Sequence, residues 1–460
     1  MAETARDANP LGYERIGKLL RGFAIPSIIA LLVSSLYNVV DQVFIGQGVG
    51  FLGNAATNVS FPLTTICMAI TLAIGIGSSA QFSLNLGRGD EEEAGRVVGN
   101  GVCMMIAFGV AYAALAELLL SRLLWAFGAT PDVYDYALTY SRITVLGMPF
   151  LMGMNGMSAL ARADGSPTYS MLTMIIGAVI NLVLDPIFIF VFHWGVAGAA
   201  WATVIGQVVA WGAAMRYLRR FKRVTLHRDY FRLSPQRVGR TFTMGMSNGL
   251  TQLAITLVQV VMNRSMAHYG GLSIYGPDIP LAASGVVMKV NSLVFSIVIG
   301  FNQGMQPIVG FNYGARRYGR VRDTYFLVIK CVLAVTLTGL TIFELFPGQV
   351  LSIFGKENEL YMSFARLFMR VFLMMLPLNG VQVISSNLFA AIGKPVRGAL
   401  LALTRQVFFL IPLMLLLPLA FGVHGVIAAA PAADVLGFLV VLIFITREMR
   451  AMMRLPQAEG

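Results

Sequence analysis

Charge is scarce in this sequence. Only 12% of its 460 residues are Asp, Glu, Lys or Arg, about half the quarter usual in soluble domains. Hydrophobic residues make up 57%. A soluble chain of this length would divide into domains joined by polar linkers, and no such linkers interrupt this one. Cysteine is rarer still. Cys67, Cys103 and Cys331 stand apart in apolar surroundings without metal-ligand spacing, which excludes a disulfide framework and leaves packed free thiols. His193, His227, His268 and His424 have no metal-ligand spacing either. There is no Walker phosphate-binding motif, so ATP is not the direct energy source. A membrane enzyme would need paired acidic motifs or a nucleophile and base. None is visible, so no enzymatic activity and no cofactor are expected. A channel would need a symmetric filter, and nothing indicates one. The first 20 residues are polar, so no cleavable signal peptide is expected.

What the chain has instead is long apolar runs. Each approaches the roughly 20 residues that cross a bilayer as a helix. Twelve helices are expected, near 16–46, 53–86, 94–119, 133–162, 168–192, 196–218, 238–269, 279–312, 321–346, 360–391, 397–420 and 424–447. The fold class is therefore an all-α integral membrane protein.

The chain is also written twice. At a shift of 227 residues Glu117, Phe127 and Gly128 fall on Glu344, Phe354 and Gly355, and Gly195, Val196 and Gly198 fall on Gly422, Val423 and Gly425. At 228, Arg142, Pro149, Ser158, Leu160, Gly165 and Pro167 fall on Arg370, Pro377, Ser386, Leu388, Gly393 and Pro395. This divides the chain into an N-lobe (1–218, helices 1–6), a connector (219–237) and a C-lobe (238–460, helices 7–12). Six crossings return the chain to its starting side, so the two bundles are related by an axis along the membrane normal. Such duplicated apolar chains usually form transporters with the site between the halves.

The net charge of +12 is placed by topology rather than by nucleic acid. The region 216–240 alone holds nine Lys and Arg residues, whereas the alternate loops offer little beyond Arg122 and Lys356. This asymmetry puts both termini on the cytoplasmic side of the inner membrane, with anionic lipid as the partner of the basic face. No nucleic-acid partner is expected, and the repeat gives a complete unit in one chain, so a monomer is expected.

Few ionisable residues remain inside the spans. Asp41, Asp185, Lys289, Arg405 and Asp434 are the deep ones, and a charge in the bilayer is a functional candidate. At about 1.5 Å per residue, Asp41 on helix 1, Asp185 on helix 5 and Thr203 on helix 6 reach similar depth in the outer half. Asn181 lies four residues before Asp185 and shares its face. Pro186 frees the Leu182 carbonyl. Two carboxylates, an amide, a hydroxyl and a spare carbonyl form an oxygen-rich set that suits a hard cation such as Na⁺. Paired carboxylates in a poor dielectric equally suit a shared proton. The coupling ion is H⁺ or Na⁺. In the C-lobe, Lys289 and Asp434 lie near mid-membrane, either paired with each other or lining the cavity. Pro149 and Pro377 occupy matching positions, so a symmetric bend is expected there, and Pro26 is a third expected hinge, on the helix of Asp41. Met148, Met152, Met154, Met157, Met171 and Met174 offer adaptable apolar surface or plain core packing.

At this point the chain resembles the multidrug and toxic compound extrusion (MATE) family, in its prokaryotic branch. The markers are PheAlaIleProSer at 23–27, TyrAsnValValAspGlnValPheIleGly at 37–46, AlaArgAlaAspGlySerPro at 161–167, AsnLeuValLeuAspProIlePheIle at 181–189 and GlyValAlaGlyAlaAlaTrpAlaThr at 195–203. The stretch 300–314 is similar to that of staphylococcal-type multidrug exporters. The resemblance covers nearly the whole chain. It implies a two-lobe, twelve-helix exporter with a cation site at Asp41, Asn181, Asp185 and Thr203, and ligand contacts at Tyr37 and Asn155. Another branch carries acids in helices 7 and 10. Here those helices offer Gln259, Asn263, Gln382 and Asn387, so a second cation site of that type is not expected. The function implied is antiport of amphipathic, often cationic, small organic molecules. The alternative is a lipid-linked precursor flippase of the wider superfamily, which would need several deep cations for diphosphate.

Overall fold

The structure is a computed structural model, described for residues 9–353 and 359–456. The repeat partners Phe354 and Gly355, and Lys356, lie outside the described residues. Among them the chain is nearly all helical, with no strand. The spanning helices are α1 (Ile16–Gly48), α2 (Phe51–Arg88), α3 (Glu91–Ala126), α4 (Pro131–Ala163), α5 (Pro167–Pro186, continuing as a π-helical turn Ile187–Val191) and α6 (Gly195–Arg216). The second half repeats the series: α7 (Pro235–Gly271), α8 (Asp278–Gly314), α9 (Tyr318–Leu345), α10 (Glu359–Leu373 and Leu376–Ala391), α11 (Pro395–Leu403, a π-helical stretch Thr404–Leu410, then Ile411–Phe421) and α12 (Val423–Met453). Ten are individually long and apolar enough to cross a membrane, and the two parts of α10 add an eleventh. The twelfth, α7, is as long as α8. Its Gln, Asn, Ser and Thr residues make it less apolar than the other spans. The protein is a multi-pass membrane protein.

The repeat is visible in local geometry. Arg142 Nε reaches Glu117 at 3.3 Å, and at the matching place Arg370 Nε lies 3.9 Å from the Glu344 carboxylate. Gly165 and Gly393 end α4 and α10 with φ of +86° and +80°. Each is followed by the same closing bond, Ser166 N to Ala161 O (2.9 Å) and Lys394 N to Phe389 O (2.8 Å). A left-handed residue satisfies the last carbonyls of a helix, and glycine adopts it without steric cost.

The paired prolines do not give paired breaks. α4 passes through Pro149 unbroken, whereas α10 breaks at Met374–Met375 and turns by 44° just before Pro377. The reason lies on the neighbouring helix. Gly109 of α3 leaves room for Pro149, whose Cα would sit 2.8 Å from a Cβ there. The matching residue of α9 is Thr336, whose side chain packs on Gly380 instead. Pro26 likewise sits inside a continuous α1. Of these three prolines, only Pro377 adjoins a break in its helix.

Between the halves, packing concentrates at the end that carries the termini and the connector. There α2 lies against α7 and α8, and α1 against α8. Glycines let these backbones touch. A Cβ on Gly245 would lie 1.8 Å from Ala73 O, and one on Gly87 would lie 2.0 Å from Phe311 O. Small residues allow such close approach where lipid supplies no hydrophobic drive. Gln81 Nε2 donates to Thr241 Oγ1 across this seam (2.9 Å). The hydrogen bond nearest mid-membrane between halves joins Ser35 and Ser296 (3.1 Å). Among the described residues no side-chain hydrogen bond joins the halves beyond it. The bundle is closed at its basic end and parted at the other.

The connector is held against the N-lobe. Asp164, fully buried, accepts from Tyr217 OH (2.7 Å), Lys222 N (2.7 Å) and Arg223 N (3.0 Å). Burial raises its carboxyl above the usual carboxylate range, although these hydrogen bonds pull the other way. Glu93 forms a bidentate pair with Arg237 (3.0 and 2.8 Å).

Candidate cation and substrate sites

The two deep acids of the N-lobe meet. Asp185 is 0% exposed and Asp41 8%, and their carboxyls lie within hydrogen-bonding reach of each other. Among the described residues Asp41 Oδ1 is buried with no donor. The Asn181 amide lies between Asp185 and Thr203. Oriented to satisfy both, it donates through Nδ2 to Asp185 Oδ2 (3.0 Å) and accepts from Thr203 N and Oγ1 (3.2 Å each). The close crossing of α5 on α6 beside Asn181 is set by two glycines: a Cβ on Gly206 would lie 2.8 Å from Gly177 O.

The depth arithmetic explains why these side chains converge. Counted from the helix ends at the parted face, Asp41, Asp185 and Thr203 lie roughly 9–12 Å in. Tyr140 of α4 lies at about the same depth, some 13 Å from Pro131, and its hydroxyl, like that of Tyr37, is within electrostatic range of both acids. Tyr140 was not among the expected residues, although the same count would have found it. Gln42 is the other addition. It touches Asp41 and accepts from Thr57 Oγ1 (3.1 Å).

Pro186 follows Asp185 at once and cannot bond Leu182, and the helix continues through a π-helical turn. Such turns often occur at functional positions. Two carboxylates in contact, one with an oxygen lacking any donor, require a positive charge between them. A shared proton or a small hard cation supplies it. The oxygen atoms of Asp41, Asp185, Asn181 and Thr203 fit either.

Asn155 is not joined to this cluster by a hydrogen bond. Its amide donates to Leu151 O within α4 (3.0 Å). In the C-lobe, Asp434 does not pair with Lys289. Its partner is Arg405 on the π-helical stretch of α11, with side chains 3% and 12% exposed. Gln382 Nε2 adds a bond to the Asp434 carbonyl (2.6 Å), and its own Oε1 is buried without a donor. Lys289 is exposed on α8 and forms no ion pair among the described residues. Sequence spacing could not choose between the two cations, because pairing depends on which helix faces α12. On α7, Gln259 donates to Asn263 (3.0 Å), so those two polar groups satisfy each other. Met148, Met152 and Met157 are buried core, and the first two pack on Cys67.

With this fold and site described, comparison with known proteins defines the class. The MatE family model matches residues 26–187 and again 248–416, once in each half. The chain therefore belongs to the MatE family. Among curated relatives, the multidrug export protein MepA of Staphylococcus haemolyticus (strain JCSC1435) is 26% identical over 90% of this chain and 89% of its own length. The protein of the same name in Staphylococcus aureus (strain MSSA476) is 24% identical over 93% of each. A solved structure described as the outward-facing conformation of a multidrug resistance MATE family transporter superposes with a TM-score of 0.89 at 22% identity, covering 98% of both chains. The fold is that of a MATE transporter.

Proposed function

We propose that the protein is a secondary multidrug exporter that moves amphipathic, often cationic, organic molecules outward in exchange for H⁺ or Na⁺. The observation that carries this is the Asp41–Asp185 pair with its unpaired oxygen. It is a buried site that must take up a positive charge, on the parted side of a bundle closed at the other end. The curated relatives named as multidrug export proteins support the substrate class.

With the basic end in the cytoplasm of the inner membrane, the closed seam corresponds to an outward-facing state. Substrate leaves through the parted side while the coupling ion enters the N-lobe site. Occupancy of that site then biases the return to a state open at the basic end. Tyr37 and Asn155 contact substrate in the N-lobe, the exposed Lys289 sets the charge of the C-lobe wall while Asp434 acts there through the Arg405 that it holds, and Pro26, Pro149 and Pro377 give the helices their flexure. The cycle needs no ATP and no cofactor, and the protein acts as a monomer embedded in lipid. A diphosphate-handling flippase is less well supported. Arg405 is already neutralised by Asp434, which leaves only Lys289 and Lys330 as deep lysines without an ion pair among the described residues of the spans, and they stand on different helices.

The test is efflux of a fluorescent organic cation from proteoliposomes under an imposed pH or Na⁺ gradient. Asp185→Asn keeps the hydrogen-bonding shape but removes the charge site, so it abolishes gradient-driven efflux while thermal melting stays near wild type. Efflux that remains coupled in this variant would falsify the N-lobe cation site.

A further inference from the structure

A second charged site lies at the opposite end, on the closed seam. A cavity of about 660 Å³ opens there between the halves. Arg88 of α2 lines it from the N-lobe. Arg240 of α7, together with Lys394 and Arg397 at the start of α11, lines it from the C-lobe. Tyr313 supplies a hydroxyl, and Thr243, whose own hydroxyl donates to Gly239 O (2.8 Å), lines the same wall. The one acid in direct contact is the buried Glu448 of α12, which holds Lys394 and Arg397 (2.7 Å to the latter) from beneath. Four cations against one carboxylate leave a net charge of three positive units at a single opening. Arg240 has no acidic or hydrogen-bonding partner among the described residues, and the only side-chain bond of Arg88 there is a long one, 3.5 Å, to Asn85.

Topology accounts for basic residues on this face, but not for this arrangement. Arg88 and the other three belong to different lobes, so closing the seam brings like charges together and costs energy. The α11 helix also begins in the cavity wall, where Pro395, Val396 and Arg397 line it; the N–H groups of Val396 and Arg397 precede the first turn's closing bond, and the positive end of the helix dipole lies there. Guanidinium groups without an acidic partner, a tyrosine hydroxyl and a helix start are together the donor set of a phosphate site. The bound Glu448 fixes two of the cations in place and does not cancel the others.

We propose that this cavity binds a phosphate-bearing anion that bridges the two lobes and favours the state closed at the basic end. The shared chemistry is a phosphate mono- or diester, supplied either by an acidic phospholipid headgroup or by a soluble phosphate compound. An anion that contacts both lobes only when the seam is shut stabilises that state by its differential affinity. The site is distinct from the Asp41–Asp185 cluster and does not depend on the coupling ion.

The experiment uses the purified full-length protein in neutral detergent at constant ionic strength set with chloride. Melting is followed while titrating inorganic phosphate, a short-chain phosphatidylglycerol, or a short-chain phosphatidylcholine. The expected result is a saturable rise in melting temperature with phosphatidylglycerol, with inorganic phosphate, or with both, and none with the zwitterionic lipid. The arm that responds identifies the source. Arg240→Gln, which breaks no internal contact and so should melt normally without ligand, weakens the response by about tenfold, as for the loss of one charge-assisted hydrogen bond. Arg88→Gln on the other lobe acts alike. Spin labels placed across the parted face should report a larger share of the parted state when the anion is added. Absence of any anion response, an equal response to the zwitterionic lipid, or an unchanged response in both variants overturns the proposal.

Discussion

Arg405 and Asp434 form an ion pair across α11 and α12 that is buried from both sides. A charge left alone at that depth has no water to return to. Asp434→Asn should therefore lower stability by about 3–5 kcal/mol, because Arg405 loses its counterion. The double variant Arg405→Met with Asp434→Leu should recover most of that loss, since a buried pair can be replaced by apolar side chains of similar volume. Thermal melting of the three proteins decides the matter. An additive loss in the double variant would show that the two residues act separately.

In the N-lobe, Asn181 joins Asp185 to Thr203. Asn181→Leu removes both hydrogen bonds and one candidate ion ligand. It should raise the ion concentration needed for half-maximal efflux by about tenfold, the scale of one to two hydrogen bonds, while maximal efflux changes less. Asp41→Asn should resemble Asp185→Asn and abolish coupling outright. Ion titration of dye efflux separates these two patterns.

The seam at the basic end depends on glycine. Gly245→Val places a side chain where Ala73 O now lies 1.8 Å from the position of a Cβ. The lobes then cannot close at this end. Efflux should be lost, and distance measurements between spin labels on α2 and α7 should show the seam held open. A variant that closes normally would mean that α7 can shift along α2 without cost.

Pro26 lies on the same seam, between Ala24 and Ile28, which touch Gly304 and Gly300 of α8. Replacing it by alanine restores a backbone donor and stiffens α1. Pro26→Ala should slow turnover several-fold and leave equilibrium binding of a fluorescent substrate nearly unchanged. Equal effects on binding and turnover would argue against flexure at this point.

Asp164→Ala frees the connector. The buried Tyr217 hydroxyl loses its acceptor at a cost of about 1–3 kcal/mol, whereas Lys222 N and Arg223 N can turn to water. Limited trypsin digestion should then cut the stretch 216–232 far faster than in the wild-type protein.

Much of this was legible in the chain itself. Apolar runs of spanning length occur because a bilayer offers backbone groups no partners, so each crossing must close its own hydrogen bonds as a helix. The repeat shift of 227–228 residues anticipated the matched turns at Gly165 and Gly393, because a left-handed helix end needs glycine in both halves. Asp41, Asn181, Asp185 and Thr203 could be grouped before any coordinates, since rise per residue fixes depth and a four-residue spacing fixes the helix face. Depth is a one-dimensional quantity, and the sequence states it directly.

What the sequence left open is lateral. Rise per residue says how far along a helix Asp434 lies, but not which neighbour it faces, and only the packed bundle assigned it to Arg405 rather than to Lys289. The same holds for Pro149 and Pro377, whose matching positions differ in outcome because α3 presents Gly109 and α9 presents Thr336. Closure at the basic end is likewise a property of contacts between halves that lie more than 150 residues apart, such as Gln81 with Thr241. Local sequence sets each helix and the depth of its charges. Which helices touch, and therefore which charges are neutralised and which remain free, is decided by packing alone.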